Sequence, residues 1–218
     1  MKERASTFLW LAIAAFVVLL AELLIMQAGL ASRGMEAGQV SLVLAHWGFT
    51  CALWGLGICL LLRLAKKKGF DIFESRVTAP PKNWIIVLML LALFIAASYV
   101  IMGVFRPLAG FAAMYRLFGD YAAMAFIAQH IYYLFEVALF LAIIAFGQKF
   151  GEAAFRKSMI PWGGILCGLT WGLVHIFTQG PAVGAVAAIY GLLYGITYLL
   201  LKKNVRYAYP VILLMFVL

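Results

Sequence analysis

The chain has 218 residues, 67% of them hydrophobic and 11% charged, with a mean hydropathy of +1.05 and a formal net charge of +9. This composition excludes a soluble globular domain, and continuously apolar runs exclude the alternating strands of a membrane β-barrel. The positive charge lies in short segments beside apolar runs, which argues for membrane orientation rather than nucleic-acid binding.

Helices satisfy their own backbone in lipid, so each long apolar run is read as a transmembrane helix. A basic segment, 1–7, precedes the first run, 8–30. That run is longer than the roughly 7–15 residues of a signal-peptide core and is expected to be retained. Glu22 lies inside it. A short polar loop, 31–39, leads to a second span at 40–64, where His46 and Thr50 sit one turn apart on one face. The longest loop, 65–83, carries Lys66, Lys67, Lys68, Arg76 and Lys82, with Pro80 and Pro81 as helix breakers. A third span comes next, at 84–105. Pro107 and several glycines then mark a less hydrophobic connection to Asp120, whose middle fits a short interfacial helix.

The fourth span is 121–147 and the fifth 161–178, joined by a basic loop in which Phe155 and Met159 suit an interfacial turn. Pro161 fits a first helical turn. Residues 179–181 form a tight turn into the sixth span, 183–201. The last twelve residues, 207–218, are too few to cross alone and are expected to form a short seventh helix. The expected fold is therefore an all-α polytopic membrane protein in one domain, 1–218, with six full transmembrane helices plus a short C-terminal seventh. Fourteen of the 17 Lys and Arg fall at the N-terminus, in the loops 65–83, 148–160 and 202–206, and at Arg63; Arg33, Arg106 and Arg116 are the other three. This asymmetry predicts a cytoplasmic N-terminus. With neither a cleavable leader nor an organelle signal read in the sequence, a multi-pass protein of a prokaryotic plasma or inner membrane is expected. Cys51, Cys59 and Cys167 all lie in apolar runs and read as small buried hydrophobes, not a disulfide or zinc set.

Ionisable groups inside a bilayer are functional candidates by default. Glu136 lies 13 residues before Lys149, and His175 lies 14 residues after Pro161. Both then sit roughly 20 Å from the basic end, on consecutive helices, as a candidate acid–imidazole pair. His130 is about 9 Å further out and about 120° round the helix from Glu136. It joins Glu22 and His46 as additional polar candidates. No metal or cofactor is expected, because His130 is off level and no HExxH-type pair shares a face. Gly164, Gly168 and Gly172 form a smooth stripe that lets helices approach, and Gly191 and Gly195 repeat the device. Tyr190, Tyr194 and Tyr198 form a second stripe, suited to packing or anchoring.

From about residue 119 to 218, beyond N-terminal helices at about 1–118, the chain resembles the core of the CAAX-protease and bacteriocin-processing (CPBP, Abi-type) intramembrane protease family. The likeness rests on Glu136 in a helix ending near Gln148-Lys149, on Trp171-Gly172-Leu173-Val174-His175 in place of Phe-x-x-x-His, and on a closing helix pair turning at Tyr209-Pro210. The resemblance implies hydrolysis of a peptide bond within or at the membrane, with Glu136 activating water and His175 orienting it or stabilising the oxyanion. The pattern departs from the family at four points. Phe135 and Val137 flank the single glutamate, Phe140 or Leu141 takes the place of the motif arginine, the last helix has no His, and the glutamate-to-histidine spacing is longer. Three readings are open. The first is a CPBP-like protein with reduced or lost peptidase activity that binds membrane proteins or peptides. The second is an active endopeptidase using Glu136 and His175. The third is a small transporter or channel, or a lipid-binding protein, with intramembrane Glu and His ligands. Membrane lipid is a partner under all three, and nucleic acid under none.

Overall fold

The computed structural model describes residues 5–27, 29–36 and 38–218. Lys2 and Arg4, counted toward the orientation, lie outside the described residues. Among those described the chain is all helical, without strands. Five helical stretches are long and apolar enough to cross a membrane: Ala5–Gln27, Val40–Lys67, Pro81–Ile101, Arg106–Phe155 and Pro181–Leu200.

The first stretch is interrupted. Helix α1 (Ala5–Leu20) stops at a turn at Ala21, and α2 (Glu22–Gln27) continues beyond it. The last carbonyls of a helix have no partner within it. One of them, Leu19 O, accepts from the buried indole Nε1 of Trp54 at 3.2 Å. The expected loop at 31–39 is largely a short helix, α3 (Leu30–Glu36). Helix α4 (Val40–Lys67) then returns to the basic end, and α5 (Pro81–Met102) starts with Pro81 in its first turn, where the missing N–H costs nothing. The segment expected to hold a short interfacial helix is α6 (Arg106–Phe118), which runs through a single 3₁₀ turn into α7 (Ala122–Phe155). Helix α7 therefore extends eight residues past the expected boundary at 147, and its last two turns take up most of the expected basic loop.

The fifth predicted span is helical from Trp162 to Gln179 in three pieces: α8 (Trp162–Cys167), a π turn at Gly168–Gly172 and α9 (Leu173–Gln179). Gly180, with φ at 94°, makes the tight turn into α10 (Pro181–Leu200). Asn204 caps α11 (Val205–Val217) by accepting from the Arg206 backbone N–H at 3.1 Å.

Helix α7 is the central element, packed by α1, α4, α6, α8 and α11. From Leu139 to Gln148 every residue is buried, so this stretch has no lipid-facing side, as expected of a helix apolar all round. The basic end is tied by polar contacts. Asn83 Nδ2 donates to Leu200 O at 2.6 Å, Ser75 Oγ to Lys202 O at 3.0 Å, and Asn204 Nδ2 to Val77 O at 3.2 Å. Gln148 bonds Ile160 O and the Gly163 N–H, which fixes the register of α7 against α8.

The glycine stripe brings α8 and α10 into backbone contact. A Cβ at Gly164 would stand 2.7 Å from Leu192 O and 2.9 Å from the Gly195 Cα, whereas one at Gly48 would meet nothing within 4 Å. Gly164→Val is expected to cost about 1–3 kcal/mol, since backbone cannot yield as a side chain would. Gly48→Ala should be neutral or slightly stabilising. Unfolding titrations in mixed micelles distinguish the two outcomes.

Candidate functional site

Tyr132 and Glu136 lie one turn apart on α7, so they share a face. Each reaches a different neighbour. Glu136 is buried, and its Oε1 accepts from the indole Nε1 of Trp171 in the π turn, at 3.0 Å. The Trp171 ring lies 5.0 Å from that of Phe140, 6.0 Å from Phe216 and 4.8 Å from His175. Phe216, near the end of α11, also meets Tyr133 at 5.1 Å and lies beneath the Arg106 guanidinium at 5.7 Å. The indole that holds the acid is thus set among rings, with one arginine beyond them.

The expected Glu136–His175 pair is not made. His175 is half-buried and its Nδ1 donates to its own helix, to Trp171 O at 2.8 Å. No hydrogen bond or ion pair links it to Glu136 among the described residues. Height alone was a sound guide, because Trp171 is only one turn from His175. Rotation decides the partner. A π turn holds one more residue than an α turn, which rotates the helix beyond it by about 100° relative to a continuous α-helix. The long indole takes the bond, and the imidazole is turned onto its own backbone. His130 is likewise used locally, donating from Nδ1 to Phe126 O at 2.7 Å and packing against Phe126 and Tyr133.

The acid–imidazole pair that the structure does form is Glu22 with His46. Glu22, the first residue of α2, shares a hydrogen bond with His46 Nε2 at 3.0 Å and accepts from the Tyr132 hydroxyl at 2.7 Å. His46 Nδ1 and the Thr50 hydroxyl, one turn on, are buried without a hydrogen-bond partner among the described residues, as is the Tyr194 hydroxyl. Trp54 and Trp47 wall the cluster, with ring centroids 4.8 and 6.4 Å from that of Tyr132.

The logic used for Glu136 and His175 would have found this pair. Glu22 lies five residues before the end of α2, and His46 six after the start of α4. Both stand about 8–9 Å from the same end, on helices joined by a short connection. Tyr132 and Trp171 were missed because phenol and indole donors in a membrane helix read first as aromatic packing. The usable signal was Tyr132 four residues before the candidate Glu136, and Trp171 four before the candidate His175.

Chemically, Glu22–His46–Tyr132 is a hydrogen-bonded relay across α2, α4 and α7, whereas Glu136–Trp171 is a closed joint. No group of three or more His, Cys, Asp or Glu side chains is placed to hold a metal among the described residues.

Trp171→Phe removes the one hydrogen-bond donor to Glu136 among the described residues and is expected to cost about 1–3 kcal/mol in a micellar unfolding titration, as a buried acceptor loses its partner. A Glu22→Gln/Tyr132→Phe double-mutant cycle should return a coupling of about 0.6–1.7 kcal/mol. A coupling of zero would mean the two side chains do not act on each other. Compared with known proteins, the sequence matches no family model, and no curated protein and no solved structure matches it.

Proposed function

We propose that the chain is a multi-pass cell-membrane protein built on the CPBP plan, with peptidase activity reduced or lost, that acts by binding other membrane proteins or peptides. The observation that carries this reading is the 3.0 Å bond from Trp171 Nε1 to Glu136. A general base must reach a water and the substrate proton, by contact or through one water. Here the acid within the apolar part of the CPBP-like core is engaged by an indole within a ring of aromatics, and the neighbouring imidazole is committed to its own helix.

The placement proposed with it has the N-terminus in the cytoplasm, Trp162–Gln179 as a further crossing, and α11 as a short seventh helix. Its support is the distribution of Lys and Arg, 14 against 3. The bacterial or archaeal plasma membrane is the proposed location.

A second reading has one observation in its favour. Glu22, His46 and Tyr132 form a continuous relay inside the bundle, the arrangement expected of a proton- or ligand-handling membrane protein. It would make the chain a small transporter, with Glu22 and His46 as ligands.

In proteoliposomes, wild type is expected to leave prenylated and transmembrane peptides intact while retaining a bound membrane protein or peptide on affinity capture. Glu136→Gln should behave the same. Peptide hydrolysis by wild type that Glu136→Gln abolishes would overturn the binding reading in favour of a peptidase. Proton-driven flux lost in Glu22→Gln would establish the transporter.

A further inference from the structure

The loop 68–80 at the basic end is held in place from several sides. Ile72 is buried, Phe70 packs edge-on against Phe8 and Phe146, and Ser75 and Val77 are bonded to the α10–α11 connection. This fixed loop stands against the start of α11 and leaves a cleft of about 440 Å³, lined by Lys66, Asp71, Phe73, Glu74, Arg76 and Arg206.

One cation in this cleft is directly paired with an acid, and two are not. Asp71 accepts from the Phe73 backbone N–H at 2.9 Å and pairs with Lys66 at 3.5 Å. The Phe73 N–H, with Lys66 and the more distant Arg206 adding to it, holds the Asp71 carboxyl below the usual carboxylate range. Arg76 and Arg206 come from segments 130 residues apart in sequence, and neither guanidinium has a hydrogen-bond or ion-pair partner among the described residues. The cleft holds three cations, Lys66, Arg76 and Arg206, against two carboxylates, Asp71 and Glu74, and so keeps a net positive charge that an anion can meet. Guanidinium forks match the oxygens of a phosphate. Glu74 also lines the cleft and opposes such a ligand.

The surroundings specify where the phosphate comes from. The cleft opens at the level of the helix ends, where α4 finishes and α5 and α11 begin. Phe73, Val77 and Tyr207 beside it are exposed, and Trp84 packs on Tyr207 with ring centroids 5.6 Å apart. Exposed apolar and aromatic side chains next to paired cations are the signature of the bilayer interface.

We propose that this cleft binds the phosphate of an anionic phospholipid headgroup, gripped by Arg76 and Arg206. The site stands on membrane insertion alone and is independent of the CPBP reading. The test is native mass spectrometry of the full chain in mixed micelles with phosphatidylglycerol or phosphatidylcholine. Phosphatidylglycerol is expected to bind more tightly. Arg76→Gln and Arg206→Gln should each weaken it about five-fold, from the worth of one cation near a charged surface. Glu74→Gln should strengthen it. Lys157→Gln, the same charge loss on the exposed turn before α8, should change nothing. Equal weakening by Lys157→Gln would reduce the effect to diffuse surface charge and overturn the site. Equal affinity for the two lipids, or displacement of phosphatidylglycerol by an equal concentration of inorganic phosphate, would overturn the assignment to a lipid.

Discussion

A carboxylate in a bilayer must be met by donors from the protein itself, because there is no water to do it. Helix α7 carries the two side chains around which that requirement is met. Tyr132 donates to Glu22 on α2, which also holds His46 on α4. Glu136, one turn further, accepts from Trp171 in the π turn. One face of one helix thus fastens the N-terminal helices on one side and the α8–α10 unit on the other. Hydrogen bonds of this kind are individually modest, but their geometry allows one rotation of each helix and not its neighbours. The packed aromatic shell of Phe140, Tyr194 and Phe216 then completes what the polar bonds orient.

The helical architecture was legible because apolar runs of membrane length have few alternatives. Their ends were less so. Residues 148–155 are charged and polar enough to look like a loop, yet α7 continues through them because Gln148 and Gly151 pack on α8 and Glu152 is met by Lys203. The glycine stripe was readable from spacing alone, and it does bring backbones together. The candidate site was half legible. Sequence spacing put Glu136 within a turn of its partner's level, since Trp171 lies one turn from His175, but did not give the direction in which each side chain points. For Glu136 the deciding fact is the π turn, which nothing in Gly168–Gly172 announces. For Glu22 and His46 the two depths were available and simply belonged together. Thr50, noted as His46's neighbour on one face, is indeed buried beside it.

The basic end obeys different physics from the interior. There the loop and the α10–α11 turn exchange side-chain-to-carbonyl bonds, and an ion pair joins that turn to α7, which holds charged segments in fixed positions. Lys203 reaches Glu152 at 3.1 Å, although its own backbone has φ at 58°. That left-handed conformation is uncommon for a side chain of this size, and the ion pair with the Ser75–Lys202 and Asn204–Val77 bonds keeps the turn in it. A rigid arrangement of cations at this level is what lets a surface discriminate between ligands instead of merely attracting counter-ions.

The π turn has one more consequence. A helix with one residue too many in a single turn has, in effect, a spare link: excising it restores the ordinary helical pitch while the faces before and after keep their neighbours. The stretch from Gly168 to Gly172 is therefore the part of the interior where chain length could change by one without unpicking the packing of α8 or α9. What such a shortening would forfeit is local: the bulge that presents the Trp171 indole to an acid on the adjoining helix.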